Sequence, residues 1–219
     1  MSKVRNQLSK VNTEDLIKIV YFIFFGVGVL GLSYNNTRDL FITLMPFSLL
    51  LSMGLMFWMH DKWHLKHVTI FILIILIGFF VEVAGVLTGV VFGEYSYGHA
   101  LGFKIWGTPP MIGLNWLMLI YAVYQIINLW KIPVFIRVLG GSALMVIYDI
   151  IMEPVAVKLN MWSWGGGDIP LQNYVAWFII SVVMLSILFL TKIKYRNKVA
   201  STLFFVQMGF FLILNLVLR

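Results

Sequence analysis

The sequence predicts an all-α integral membrane protein, a bundle of about seven transmembrane helices forming one domain over residues 1–219. Three observations carry this expectation. Of 219 residues, 61% are hydrophobic and 11% charged, with a mean hydropathy of +0.93, which is more apolar surface than a soluble domain buries. Seven apolar stretches, roughly 16–34, 40–59, 68–90, 111–130, 133–152, 172–191 and 201–218, each approach the ~20 residues a spanning helix needs. The basic residues are also strongly asymmetric across these stretches.

The first stretch follows a polar, mixed segment, Met1 to Asp15, without the charged, apolar, small-residue order of a cleaved signal peptide. It contains Gly26-Val27-Gly28-Val29-Leu30-Gly31, which matches GxGxxG. A dinucleotide fingerprint requires a preceding strand, and here the motif lies within a spanning helix, so that reading is rejected. After the second stretch come His60, His64 and His67, with Asp61 beside them. Imidazoles at helical spacing are good iron ligands. A histidine-cluster oxygenase needs several such sets, however, and the chain has four histidines. A solvated interfacial segment is expected instead.

The third stretch carries one charge, Glu82. A carboxylate at that depth is costly and marks a working site by default, the alternative being an interhelical hydrogen bond. Gly85 and Gly89 form a GxxxG pair, which predicts close helix packing. The loop Gly93-Glu94-Tyr95-Ser96-Tyr97-Gly98 follows. The fourth and fifth stretches, joined by the short link Lys131–Pro133, should be antiparallel neighbours. On the fifth, Asp149 and Glu153 are four apart and share a helix face. Two carboxyls so close in low dielectric should not both be charged, leaving a neutral acid beside a carboxylate. Capping or pairing with Lys158 is the alternative. Pro154 is expected to end this helix or begin the loop.

Orientation follows from the basic residues. Lys3, Arg5, Lys10, Lys18, Lys62, Lys66, Lys131, Arg137, Lys192, Lys194, Arg196 and Lys198 fall on one side, against Arg38, Lys104, Lys158 and Arg219, twelve to four. The N-terminus is therefore expected in the cytoplasm and the C-terminus outside, in a multi-pass cell (inner) membrane protein. Glu82, Asp149, Glu153, Asn115 and Asn173 then gather in the outer half, beside two external loops, roughly 91–110 and 153–171. Tyr95, Tyr97, Trp106, Trp116, Trp162, Trp164, Tyr174 and Trp177 crowd the same boundary. An aromatic belt accounts for them; so does a pocket whose ring faces stabilise a cation. The formal charge of +7 suits topology and anionic lipid, and no basic, aromatic-interleaved face for nucleic acid is present. With no cysteine, disulfides, thiolate metal sites and cysteine nucleophiles are excluded.

The run from Glu82 through Gly85, Thr88, Gly89, Phe92, Gly93 and Glu94 to Tyr95 and Tyr97 resembles a motif of the membrane carotenoid biosynthesis protein family. That family is of the carotenoid 1,2-hydratase and bisanhydrobacterioruberin hydratase type. Gly107-Thr108-Pro109, Leu114-Asn115-Trp116, Asp149, Glu153-Pro154, Trp162-Ser163-Trp164, Pro170, Asn173-Tyr174 and Trp177 continue the pattern in order, over roughly residues 80–180. The resemblance implies a cofactor-free hydro-lyase. It would add water across the terminal C1–C2 double bond of an acyclic carotenoid end, such as that of lycopene or γ-carotene, to give a tertiary alcohol. It implies Asp149 and Glu153 as the acid/base pair and Glu82 as a third acid. Asn115 and Asn173 would position water or hydrogen-bond a carboxylate, and Tyr95, Tyr97, Trp116, Trp162, Trp164 and Trp177 would line the end-group pocket; no metal is implied. Carotenoid end-group cyclisation shares the first protonation. A proton-coupled transporter would also bury acids, but should carry polar residues at several depths, and the cytoplasmic half reads as nearly all apolar.

Overall fold

A computed structural model describes residues 2–193 and 196–218, with side chains from residue 13 onward. Lys194 and Arg219, both counted in the charge bias, lie outside the described residues, as do the side chains of Lys3, Arg5 and Lys10. Among the described residues eight helices form: α1 Ser2–Ser33, α2 Asn35–Thr43, α3 Met45–Trp58, α4 Leu65–Thr88, α5 Met111–Ile127, α6 Val134–Lys158, α7 Leu171–Phe189 and α8 Lys198–Val217. Two short strands, β1 Tyr95–Tyr97 and β2 Trp162–Trp164, complete the chain.

Five helices are long and apolar enough to cross a membrane, and six if the bent pair α2 and α3 counts as one span. That pair occupies the expected second stretch and bends by 57°. Pro46 stands in the first turn of α3, where its missing N–H and ring conflict with continuing the preceding helix. The fourth expected stretch, α5, has only 17 residues, about 26 Å of helix. It is also the most enclosed. Residues Leu117 to Gln125 are all buried, because α5 packs against α3, α4, α6, α7 and α8. Outer helices instead expose apolar rows such as Phe22, Ile23 and Leu30, as surfaces facing lipid do.

Three expectations need correction. Pro154 does not end α6, which continues to Lys158. Val155 and Ala156 in the extra turn are fully buried, and Leu159 N–H closes it on the Val155 carbonyl at 2.9 Å. Packing thus outweighs the one hydrogen bond a proline removes. Gly85 and Gly89 do not form a helix–helix face. An added Cβ at Gly85 would meet Phe92 at 2.7 Å and the Tyr95 hydroxyl at 2.9 Å, and Gly89 is the left-handed cap of α4, with φ of 68°. The first makes room for the following loop and the second turns the chain into it.

The histidines are the third correction. His64 is exposed, but His60 and His67 are buried, held among the rings of Phe57, Phe71 and Tyr121. His60 Nδ1 lies 2.8 Å from the Tyr121 hydroxyl. Asn197 caps α8 through Ala200 N–H at 3.1 Å and donates to the Met56 carbonyl at 2.8 Å. This end of the bundle is therefore not uniformly apolar. Burial lowers the His60 pKa from 6.5 to about 4. Between those values the unfolded imidazole binds a proton that the folded one does not, so stability should decline as pH falls from 6.5 toward 4. Thermal unfolding across that range checks this, and His60→Gln should flatten the decline.

The strands pair antiparallel, with Tyr95 opposite Trp164, Ser96 opposite Ser163 and Tyr97 opposite Trp162. Gly98 N–H to Met161 O and Gly165 N–H to Glu94 O, each 2.8 Å, extend the ladder. It ties the loop after α4 to the loop after α6, at the end where α5 and α7 begin.

Candidate active site

The ladder explains why the aromatic residues come in alternating pairs. Successive strand side chains point to opposite faces, so Tyr95 and Tyr97 share one face, as do Trp162 and Trp164. Tyr95 lies 5.3 Å from Trp164 and Tyr97 5.9 Å from Trp162, between ring centroids. Every polar end on that face reaches a carboxylate.

Glu82, buried on α4, receives three donors. Tyr95 and Tyr97 hydroxyls donate to Oε2 at 2.6 and 2.7 Å, and Trp116 Nε1 donates to Oε1 at 2.9 Å. Burial, followed by the facing Glu82 charge, raises both phenol pKa values well above the ordinary tyrosine range, so both hydroxyls keep their protons and donate. Gly78, one turn before Glu82, lets α5 approach. A Cβ there would sit 2.8 Å from Trp116 Cβ. Trp116 in turn stacks on Trp177 at 4.4 Å, with 34° between planes.

Glu153, also buried, accepts from Trp162 Nε1 and Trp164 Nε1 on Oε2, each at 3.0 Å. Asn173 Nδ2 donates to Asp149 Oδ2 at 2.7 Å and reaches Glu153 Oε1 at 3.5 Å, linking the two acids. Asp149 Oδ1 is buried with no hydrogen-bond partner. Among the described residues, none of the three carboxyls has an ion-pair partner. Uncompensated buried charge is strongly disfavoured, so a pair joined through one amide is suited to sharing a proton.

A cavity of about 20 Å³ lies between these groups, with room for a single water molecule. Glu82, Glu153, Asn115, Asn173, Trp164 and Trp177 are on its wall, together with Tyr95, Tyr97 and Trp162. Asp149 is not on the wall; it stands behind Asn173. Three aromatics of the same sequence crowd stay outside: Trp106 is exposed, Tyr174 does not line the cavity, and Trp116, expected on the wall, stands behind it, turned to Glu82 and Trp177. Phe92, part of the motif that begins at Glu82, also lines the wall, as do Ile112 and Met152, which sequence reading missed. As isolated apolar residues the last two carried no signal beyond burial.

A second cavity, of about 170 Å³, adjoins the first and shares Ile112, Asn115, Met152 and Trp162 with it. Its walls are mainly apolar, from Phe24 and Phe25 of α1 to Phe210 and Phe211 of α8. The Asn115 side chain makes no hydrogen bond to another described side chain and stands where the two cavities meet. Gln207, buried on α8, faces the larger cavity with its Oε1 unpartnered.

The sequence model of the family described as carotenoid biosynthesis protein matches residues 42–219. Bisanhydrobacterioruberin hydratase of Haloarcula japonica is 27% identical over 107 residues, covering 45% of this chain and 36% of that protein. The chain thus spans only about a third of that relative's length. No solved structure matches the chain.

Proposed function

We propose that this chain, which belongs to the carotenoid biosynthesis protein family, is a membrane hydratase acting on the terminal C1–C2 double bond of an acyclic carotenoid end. The carrying observation is the small cavity where two carboxyls face ring systems and which shares four wall residues with a larger apolar cavity. The larger cavity suits the end portion of a hydrocarbon chain, and the smaller one suits the attacking water beside the acids.

Glu153 is the proton donor in this reading. It lies on the cavity wall, and its indole bonds fix Oε2 while leaving Oε1 loosely held. Its proton goes to C2, and the π electrons form that C–H bond, leaving the tertiary cation at C1. Water adds to C1, and the Glu153 carboxylate takes the proton that water gives up, restoring the acid. The net change is one water added, with no redox step. Glu82, saturated by three donors, serves as the fixed carboxylate that stabilises the cation together with the ring faces of Trp164 and Trp177. Asn115 orients the water. Asp149, bonded to the Asn173 amide, carries the negative charge of the pair, and its repulsion keeps Glu153 neutral.

In this reading the N-terminus is cytoplasmic and the C-terminus outside, as the basic-residue bias supports, with α5 as a seventh span and the acids in the outer half of the inner membrane. A transporter reading meets an interruption. From Glu82 to His67 is about 22 Å along α4, filled by buried Ile70, Phe71 and Ile74.

Expression in a bacterium producing lycopene or γ-carotene tests the reaction directly. The expected product is heavier than its precursor by one water. An isomer of unchanged mass would indicate cyclisation instead, and unchanged pigment would remove the hydratase reading.

A further inference from the structure

At the end of the bundle opposite the acids, α6 and α7 enclose an open groove. Its walls are mainly apolar, with Phe135, Val138 and Leu139 on α6, Val182 on α7 and Leu190 just after it, and two cations, Arg137 and Lys192, also line it. Arg137 is held in place. Its Nη1 donates to Asn128 Oδ1 at 3.1 Å, and its guanidinium carbon sits 5.2 Å from the Phe189 ring centroid. Yet its Nε is buried without a partner. Neither Arg137 nor Lys192 has an ion-pair partner among the described residues.

A guanidinium fixed on two sides, with spare donors and no acid, is arranged for an external anion, and its fork geometry matches phosphate. The α6 N-terminus adds to this. Its cap, Pro133, offers no side-chain acceptor, and Val134 and Phe135 of its first turn line the groove, so the positive end of the helix borders it. The apolar walls then decide the class of anion, because free phosphate has no use for them and an acyl chain does.

We propose that this groove binds an anionic phospholipid, with its phosphate on Arg137 and Lys192 and an acyl chain along the apolar walls. The site lies about 24 Å from Glu153 along α6 and does not depend on the hydratase reading.

The purified full chain in detergent is titrated with phosphatidylglycerol or with phosphatidylcholine of equal acyl length, and bound lipid is counted by native mass spectrometry. Phosphatidylglycerol should bind preferentially. Arg137→Leu should weaken its affinity about fivefold and Lys192→Gln by a similar factor, with phosphatidylcholine unaffected. The exposed Lys192 keeps the comparison available if the Arg137 variant does not fold. Equal binding of the two lipids to the unaltered chain overturns the proposal, as does an unchanged preference in either folded variant. Displacement of phosphatidylglycerol by millimolar inorganic phosphate would also overturn it, in favour of a free-anion site.

Discussion

Glu153→Gln is expected to lower hydration by about 10²–10⁴-fold, the usual contribution of a positioned general acid, while leaving the protein folded. Glutamine matches the shape of glutamate. Its amide oxygen can still accept from Trp162 Nε1 and Trp164 Nε1, so the link between α6 and β2 survives. It cannot deliver a proton to carbon. Asp149→Asn is the informative companion, because Asp149 joins Glu153 through Asn173 but is absent from the cavity wall. Its loss should be smaller, about 10-fold, reflecting a disturbed proton-sharing pair rather than a missing donor. The measurement is hydrated product against precursor at matched protein level, with thermal unfolding as the folding control. Full product from Glu153→Gln would sink its assignment as donor. Equal, complete losses in both variants would move the donor role from Glu153 to the pair.

The acids were readable because each violates a local expectation. Glu82 stands alone in an apolar helix, and the spacing of Asp149 and Glu153 fixes a shared face. The helices were readable from length and hydropathy alone. The ladder between β1 and β2 was not read, although a signal existed. Tyr95-Ser96-Tyr97 and Trp162-Ser163-Trp164 are both strict period-two alternations, the strand pattern, but each is only three residues long and lies in a loop. Pairing them requires that the loops after α4 and α6 meet, a long-range fact with no local trace. The same limit explains Pro154. Its chemistry argues for a helix end, and what overrides it is burial of Val155 and Ala156 against neighbours distant in sequence. His60 and His67 failed for the complementary reason. Polar character suggested solvent, whereas aromatic rings from α3, α4 and α5 enclose them.

Glu82 separates structural from chemical work more sharply than any other residue here. Glu82→Ala would leave the Tyr95 and Tyr97 hydroxyls and Trp116 Nε1 facing a void. Each unsatisfied buried donor costs about 1–3 kcal/mol, so the sum approaches the whole margin of a typical fold, about 5–15 kcal/mol. Glu82→Ala is therefore expected to unfold or to melt far below the unaltered chain. Glu82→Gln keeps one acceptor oxygen and sets an N–H₂ group against one remaining donor. Its expected cost is about 1–3 kcal/mol, and the protein should remain folded. That folded variant isolates the charge. A carboxylate that steadies a carbocation loses this ability as a neutral amide, so hydration should fall by about 10²-fold, on the scale of removing one preorganised electrostatic group. Tyr97→Phe removes one donor and keeps the charge, so it should change stability more than rate. Melting curves and product ratios for the three variants form a grid. An Ala variant as stable as the unaltered chain would refute the structural role. Undiminished hydration in a folded Gln variant would refute the electrostatic one, and Glu82 would then be a hydrogen-bonding hub that holds β1 and α5 in position for Glu153 to act.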